Sequence, residues 1–248
     1  MKHILLFFYQ WFIFAPIFVL VTIVTALSVT IGCAVGNRSF WAYVPPRYWS
    51  KITCRLALCR IKVKGVENIS AEQSYVFTPN HQSYFDIFLI YGYLPKNIKW
   101  VQKQELRKIP LVGKASEIAG HVFVDQSSLK SRKESIAKAE KQLREEPGAS
   151  MVIFPEGARS YTGKLGKFKR GAFLIAEQLS LPVVPITING ICEVLRRGTW
   201  NLNPGTMELI IHQPLSVEDK TDEEIVRIAS QTQTIVESAL WDKYKNQE

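Results

Sequence analysis

The run from Ile4 to Val35 constrains this chain more than any other feature of its sequence. It contains no charged residue and is rich in Phe, Ile, Val and Leu. About 20 apolar residues suffice to cross a bilayer, so the run is long enough to span one with residues to spare. A secretory signal has a much shorter apolar region, and a soluble helix this long would leave too much apolar surface uncovered. The sequence therefore predicts a membrane-anchoring segment.

Two forms of this anchor are compatible with the sequence. It is either a single tilted helix that spans the bilayer, or a pair of helices that enter one leaflet, with Pro16 dividing the run into two parts. Positive charge prefers the cytoplasmic side of a membrane. One basic residue, Lys2, precedes the run, whereas five follow it, at Arg38, Arg47, Lys51, Arg55 and Arg60. We therefore expect residues 1–60 to anchor the chain and residues 61–248 to form a domain that faces the cytoplasm.

The part of the chain after the anchor alternates between two patterns. Helical patterns occur at 131–146, 171–179 and from 221 onward, the first and last opening with capping boxes. Short apolar runs between them are typical of buried strands; they are Tyr75–Phe77, Ile98–Val101, His121–Val124, Met151–Phe154, Val183–Ile188 and Met207–Ile211. This alternation predicts an α/β fold, a mixed sheet flanked by helices, preceded by the N-terminal hydrophobic helix or helix pair.

Charge and cysteine content narrow the classes of partner. Lys plus Arg number 31 against 22 for Asp plus Glu, a net charge of +9 that suits an anionic partner such as phosphate or an acidic lipid surface. A nucleic-acid partner would explain the charge but not the apolar anchor, so we expect none. The four cysteines form no CxxC pair and no His cluster accompanies them, so the sequence predicts no metal site and reduced, intracellular thiols.

A histidine and an aspartate five positions apart, His81 and Asp86, follow the apolar run Tyr75–Phe77. Imidazole takes up a proton near neutral pH, and a carboxylate can fix its tautomer and stabilise the imidazolium. On a regular helix five residues correspond to about 500°, so these side chains would not face each other. They meet only if His81 lies in the turn before a helix and Asp86 in its first turn, which Ser83 as N-cap permits.

A structural interpretation of the same residues stays open. Ser83–Asp86 is itself a capping-box-like pattern, which would explain Asp86 without catalysis and leave His81 as a loop residue. Ser83 as an enzyme nucleophile is disfavoured, because it lacks the Gly-x-Ser-x-Gly elbow that exposes such a serine.

A second informative block, Phe154–Ser160, ends the apolar run that begins at Met151. Pro155 and Gly157 stop the strand, so Glu156 and Arg159 should emerge at its carboxyl end, where open α/β sheets bind ligands. The basic residues Lys164, Lys167, Lys169 and Arg170 follow Arg159, and no acidic residue occurs between 157 and 176. Such a segment is suited to a phosphate monoester, although a solvated basic loop is the alternative.

Together, Asn80–Asp86 and Phe154–Ser160 resemble the two main signature blocks of the glycerolipid acyltransferase family that includes 1-acylglycerol-3-phosphate acyltransferase. Gly120–Gln126 resembles the block between them, with Gln126 where the family usually has Arg. Val184–Ile186 resembles a fourth, hydrophobic-Pro-hydrophobic block.

The resemblance implies roles for individual residues. His81 would deprotonate the acceptor hydroxyl, which then attacks an acyl thioester, and Asp86 would orient and charge-balance His81. The residues expected to bind substrate are Lys103, Glu156, Gly157, Arg159 and Ser160, and those expected to line the acyl site are Val184, Pro185 and Ile186.

The implied activity is acylation of 1-acylglycerol-3-phosphate (lysophosphatidate) at its free hydroxyl, forming phosphatidic acid at a membrane. Acyl-CoA or acyl carrier protein would be the donor, with no metal or other cofactor, and membrane lipids would be the remaining partner. Three alternatives remain: acylation of another lysolipid or of glycerol-3-phosphate, a thioesterase or lipase in which water replaces the acceptor, and a non-catalytic membrane protein that binds anionic lipid.

Overall fold

The computed structural model describes residues 2–124, 137, 139–143 and 146–245. Within these residues one seven-stranded sheet lies between two layers of helices, so the predicted α/β class is confirmed. The strands are β1 Arg60–Lys64, β2 Val76–Pro79, β3 Ile98–Lys103, β4 Val122–Val124, β5 Ser150–Val152, β6 Val183–Asn189 and β7 Thr206–Ile211. Their order is β1-β7-β6-β2-β5-β3-β4, and the sheet is mixed because β6 and β7 pair antiparallel while the other neighbours are parallel.

The helices include the predicted ones after residue 146. They are α1 Lys2–Tyr9, α2 Ala15–Val35, α3 Arg38–Leu56, α4 Phe85–Tyr93, α5 Val112–Ile118, α6 Gly171–Gln178, α7 Ile191–Val194 and α8 Asp222–Ser238. The predicted capping box at α8 is present, with Thr221 and Glu224 exchanging their hydrogen bonds. The helix predicted from Ser131 begins outside the described residues. Strand β1 was not predicted, although Ile61 and Val63 alternate with basic residues at the period of a strand.

The N-terminal run forms one continuous helix from Ile4 to Val35, long and apolar enough to cross a membrane. Of the two forms that the sequence left open, division of the run at Pro16 does not occur. Pro16 lies in the first turn of α2, and the turn before it, Gln10–Phe14, widens to a π-helix in which the Ala15 N–H donates to the Gln10 carbonyl. The wider turn accommodates the proline, which has no N–H of its own.

A helix pair nevertheless exists, because α3 follows α2 after Gly36 and packs against it. Ala26 and Val29 of α2 share a small buried cluster with Ala42 of α3. At Gly32 the approach is so close that an added Cβ would lie 2.1 Å from the Trp41 ring. The second helix of the pair is therefore α3 and not a second half of the apolar run.

Apolar side chains cover both faces of the sheet. One face packs against α4 and α7, and the other against α6 and α8. The apolar helix joins the first face through Phe14 and Phe18, and the Phe18 ring lies 5.8 Å from that of Phe88 on α4. Most of the helix is still uncovered, with 11% of its most apolar window buried. A small part of the anchor helix thus packs on the core of the domain, and the rest of its apolar surface is exposed.

Candidate active site

The structure brings His81 and Asp86 together in the predicted geometry. Parallel strand β2 ends at Pro79, His81 lies in the turn that follows, and Asp86 lies in the first turn of α4. The His81 Nδ1 and the Asp86 Oδ2 are 2.6 Å apart. Because the carboxylate holds the proton on Nδ1, the Nε2 lone pair is left to accept a proton. The Asp86 side chain is fully buried, whereas that of His81 is 17% exposed and reachable by a substrate.

Asp86 also caps the backbone of the turn. Its Oδ2 accepts the N–H of Gln82 at 2.8 Å and that of Ser83 at 3.0 Å. Asp86 therefore does cap the turn, as the structural interpretation of this residue holds. The same oxygen, Oδ2, binds both the two backbone N–H groups and His81. The hydroxyl of Ser83 donates to the Leu195 carbonyl at 2.6 Å, an internal contact that leaves it poorly placed as a nucleophile.

The ring of His81 is stacked on Phe154. The ring centroids are 3.7 Å apart with 17° between the planes, and Trp100 stacks on the Phe154 ring in turn, at 5.9 Å. Two constraints, the Asp86 carboxylate at Nδ1 and the Phe154 face, therefore fix the imidazole. Phe154 belongs to the second signature block, but its position in the sequence did not predict this contact.

Glu156 links the turn that carries His81 to the basic segment. Its Oε1 accepts the His81 backbone N–H at 2.7 Å and its Oε2 accepts the Gly166 N–H at 2.9 Å. An added Cβ at Gly166 would lie 2.6 Å from Oε2, so only glycine permits this approach. Both carboxylate oxygens of Glu156 thus have protein partners.

Burial raises the pKa of Glu156 to about 7, more than the two backbone N–H groups lower it, and the charge of Asp86 raises it further. The group therefore changes charge near neutral pH while only 9% exposed. A buried carboxyl with this pKa beside a histidine is typical of functional sites.

Arg159 lies over an aromatic ring at the entrance of the site. Its guanidinium carbon is 3.5 Å from the centroid of Tyr84, close enough for a cation–π contact. Its Nη1 is buried without a hydrogen-bond partner among the described residues. A buried donor without a partner is costly, and an anionic ligand would satisfy it.

The remaining residues of the second block shape the turn. Gly157 has a φ of +76°, which favours glycine. The Ser160 N–H donates to the His81 carbonyl at 2.8 Å, and the Ser160 hydroxyl accepts the Gly163 N–H at 3.0 Å. These contacts attach the second block to the His81 turn, and a direct role for Gly157 or Ser160 in binding substrate stays a prediction.

The basic segment is anchored by two of its own side chains. Leu165 and Phe168 are buried in the core, whereas the cations before, between and after them, Lys164, Lys167 and Lys169, are exposed. Lys103 ends strand β3, next to β5 in the sheet, and is also exposed. Because β2, β5 and β3 are parallel, the residues that follow them lie at one end of the sheet, so Lys103 and the basic segment lie at the same end as His81 and Glu156.

The predicted acyl-site residues lie in the central strand β6. Val184 and Ile186 are fully buried in the core and pair with β2 at Phe77 and Pro79, and Pro185 lies between them. Their role as an acyl-site lining stays a prediction. Gln126, where the family usually has Arg, lies outside the described residues.

Sequence reasoning overlooked three residues around the site. Tyr84 and Phe154 support Arg159 and His81 from within the signature blocks, and an aromatic residue beside a candidate base was the available signal. Arg197 donates to the Arg159 carbonyl and lies 3.6 Å over the Tyr161 ring. No local pattern near Arg197 indicated this contact.

A second histidine lies in a contrasting environment. His121 is buried, its Nδ1 accepts the Trp100 backbone N–H at 3.3 Å, and its Nε2 is 3.1 Å from the Tyr91 hydroxyl. Burial, with a smaller effect of the Lys99 charge, lowers its pKa to about 3. His121 is therefore neutral and structural, as its place in an apolar run predicts.

The chain resembles known proteins over the part that carries this site. It matches the Acyltransferase family model over residues 60–189. It is 34% identical over 181 residues to the chloroplastic 1-acyl-sn-glycerol-3-phosphate acyltransferase LPAT1 of Arabidopsis thaliana, covering 72% of this chain and 49% of that protein. It is 31% identical over 197 residues to the 1-acyl-sn-glycerol-3-phosphate acyltransferase of Saccharomyces cerevisiae, covering 79% of this chain and 64% of that one. The chain thus spans less than two thirds of the length of either relative.

A solved structure extends the similarity to nearly the whole chain. The crystal structure of the 1-acyl-sn-glycerophosphate acyltransferase PlsC from Thermotoga maritima superposes with a TM-score of 0.76 at 26% sequence identity. The superposition covers 95% of this chain and 93% of that one, so it includes the apolar helix as well as the sheet.

Proposed function

The chain belongs to the acyltransferase family, and from that premise we propose that it transfers an acyl chain from a thioester to the free hydroxyl of 1-acylglycerol-3-phosphate. The product is phosphatidic acid. The contact of 2.6 Å between His81 and the buried Asp86 carries the proposal, because it prepares a base at the carboxyl edge of the sheet. The names of the relatives from Arabidopsis, yeast and Thermotoga support this acceptor.

In the proposed reaction His81 is the general base. Its Nε2 takes the proton of the acceptor hydroxyl as the hydroxyl oxygen attacks the thioester carbonyl, and Asp86 stabilises the imidazolium. The carbon–sulfur bond then breaks, and the thiolate leaves with the proton from His81. The new ester remains on the acceptor, and the enzyme returns to its starting state without a covalent intermediate.

The acceptor phosphate is proposed to bind at Arg159. Its Nη1 has no hydrogen-bond partner among the described residues and would donate to a phosphate oxygen. The Tyr84 ring contacts the guanidinium at 3.5 Å, and the exposed lysines of the basic segment add long-range attraction. Lys103 contributes a second, single-point charge from the end of β3. The donor in this proposal is acyl-CoA or acyl carrier protein.

The protein is proposed to sit in a membrane with its catalytic domain facing the cytoplasm, because basic residues concentrate after the apolar run. Phe14 and Phe18 pack along the domain core, and Phe88 of the domain contacts Phe18. A helix that lies against its own domain in this way favours entry into one leaflet over a perpendicular span. Deleting the helix would uncover that part of the core, so membrane attachment is better tested on the full chain.

The direct test is a panel of acceptors. The purified full chain is incubated with labelled acyl thioesters and with lysophosphatidate, glycerol-3-phosphate, other lysophospholipids or no acceptor. We expect label to appear in phosphatidic acid when lysophosphatidate is present. Label in a different product would reassign the acceptor, release of free fatty acid without acceptor would indicate a thioesterase, and lipid binding without turnover would indicate a non-catalytic protein.

Arg159→Ala tests the phosphate site within the same assay. Loss of a charge-assisted contact should raise the KM for lysophosphatidate by roughly 10- to 100-fold and change the KM for the thioester much less. Lys103→Ala should act in the same direction but more mildly. Arg170→Ala is the matched control, since its exposed guanidinium contacts Asp222 at 3.8 Å instead of the site. Equal effects of Arg159→Ala on both substrates would contradict the assignment.

A further inference from the structure

The loop from Leu195 to Gly205, between α7 and β7, combines an exposed aromatic side chain with an exposed arginine. Trp200 is 73% exposed, and Arg196 beside it is also exposed. The loop contains no acidic residue. Trp prefers the membrane–water interface, and arginine favours anionic headgroups, so this composition suits a lipid surface better than bulk water.

Gln10 ties this loop to the apolar helix. It carries the one side-chain amide in the uncharged run, and it lies in the π-helical turn. Its Nε2 donates to the Trp200 carbonyl, and its Oε1 accepts the Leu202 N–H at 3.0 Å. Both ends of the amide thus bind loop backbone, which explains a polar residue that is costly in an apolar segment.

The helix surface next to this contact is itself exposed and apolar. Phe7, Phe8 and Phe12 are more than half exposed, and Leu58, which follows α3, is 52% exposed close to Gln10 and Leu202. Trp200 therefore lies next to the exposed apolar surface of the anchor and extends that surface onto the α/β domain.

The same loop reaches the candidate active site at its other end. Leu195 accepts the Ser83 hydroxyl, and Arg197 donates to the Arg159 carbonyl while it covers the Tyr161 ring. Tyr84 and Tyr161, whose rings bind the guanidinium groups of Arg159 and Arg197, are 51% and 66% exposed. A contact made by Trp200 is thereby connected through one loop to the residue proposed to bind phosphate.

We propose that residues 196–202 form a second membrane contact, in which Trp200 enters the headgroup region of an anionic phospholipid leaflet beside the apolar helix. Gln10 sets the height of this loop on the helix, and the loop holds the acceptor site against the surface of the leaflet. The inference rests on the proposed membrane attachment and acceptor, and it assigns the loop a function that the anchor alone does not supply.

The experiment compares two presentations of one acceptor class with the full-length chain. Lysophosphatidate is supplied either in phosphatidylcholine vesicles containing phosphatidylglycerol or as a short-chain form that stays monomeric. Trp200→Ala should lower kcat/KM on vesicles by on the order of tenfold, as expected for the loss of one buried aromatic anchor, and leave kcat/KM on the monomeric acceptor unchanged. Trp200→Phe should fall between Trp200→Ala and the parent.

Two further variants separate this contact from general effects. Gln10→Leu removes both bonds to the loop while making the helix more apolar, so it should lower activity on vesicles without releasing the protein from them. Val226→Ala is the matched control, because Val226 is an exposed apolar residue, 47% exposed, on α8 in the helix layer of the opposite face. Equal loss on both acceptors, or no loss on vesicles, would overturn the proposal.

A direct measurement keeps the proposal testable even if the protein turns over neither acceptor. Emission from Trp200, taken as the parent spectrum minus that of Trp200→Phe, should be quenched in vesicles by phosphatidylcholine brominated near its ester groups. Unquenched Trp200 emission from membrane-bound protein would refute the lipid contact and indicate a protein partner instead. Quenched emission without turnover would refute only the proposed reaction.

Discussion

His81 and His121 both follow or begin apolar strands, yet the fold places them in opposite chemical situations. His81 donates Nδ1–H to a buried carboxylate, and its side chain is 17% exposed. His121 accepts a backbone N–H at Nδ1 and contacts the Tyr91 hydroxyl through Nε2, and no carboxylate of the described residues binds either nitrogen. The first ring is prepared to gain a proton, whereas the second has both nitrogens occupied.

The comparison shows that the partner of Nδ1, and not the presence of a histidine, decides the chemistry. A carboxylate makes the distal nitrogen basic and compensates the charge that forms. At His121 the backbone N–H bound to Nδ1 leaves the proton on the distal nitrogen, and burial, with a smaller effect of the Lys99 charge, lowers the pKa to about 3. Exchanging or removing these partners should therefore affect catalysis in one region and stability in the other.

The largest effect is expected for His81→Ala. Removal of a general base costs roughly 10²–10⁴ in rate, and truncation of the His81 side chain, which is 17% exposed, should leave the fold intact. Turnover and circular dichroism of the purified full chain measure the two quantities. A well-folded variant with activity near that of the parent would remove His81 from the mechanism.

Asp86→Asn tests the partner alone. The amide oxygen can still accept the N–H groups of Gln82 and Ser83, so the cap should survive, but an amide cannot balance an imidazolium. We expect turnover to fall on the order of 10²-fold or more with little change in thermal stability. If capping were the whole role of Asp86, activity would persist in this variant.

His121→Ala should do the reverse. It leaves the Trp100 N–H without its partner and the Tyr91 hydroxyl with only the Ala42 carbonyl, at 3.4 Å, and a buried unsatisfied group costs about 1–3 kcal/mol. The midpoint of thermal unfolding in detergent should fall, while kcat per folded molecule stays close to that of the parent. A loss of kcat at full stability would show that His121 takes part in the reaction.

A pH dependence of stability is expected from Glu156, the carboxyl that accepts the His81 backbone N–H. In the unfolded chain this group ionises near its ordinary pKa of 4.5, whereas in the folded protein its pKa is raised to about 7. Folding therefore takes up a proton between these values, and the contribution of Glu156 to stability is lost as pH rises through that window, with a slope of up to about 1.4 kcal/mol per pH unit.

Glu156→Gln should remove this part of the pH dependence, because the amide does not titrate. The measurement is the free energy of unfolding of parent and variant in one detergent from about pH 4 to 8. Parallel profiles would contradict the raised pKa. The variant should also lose one of the two backbone bonds, since only one of its terminal atoms is an acceptor.

Much of the fold could be predicted because it depends on short-range patterns. The apolar runs became β2 to β7 with ends shifted by one or two residues, and the capping box at Thr221 began α8 as predicted. Whether Pro16 ends the helix could not be predicted, because a π-helical turn can accommodate a proline within a continuous helix. Strand β1 was overlooked because charged residues alternate with its two apolar ones.

The candidate site was predictable in part. His81, Asp86 and Arg159 could be identified from their blocks, and the turn-plus-helix geometry of the pair follows from the angular spacing of a helix. The contacts of Glu156 with His81 and Gly166, and of Arg197 with Arg159, join segments far apart in the chain. No local pattern encodes those partners.

By itself, the sequence determined which residues are available for chemistry and which segments are apolar, helical or extended. Caps, periodicity and charge act over a few residues, so these properties can be read without the fold. The tertiary structure alone decided that β2 and β5 are parallel neighbours, which brings Glu156 to the His81 turn. It also decided that Gln10 meets the loop at Trp200. Such pairings depend on the packing of the whole core, because the order of strands in a sheet is set by long-range burial and not by the residues of any one strand.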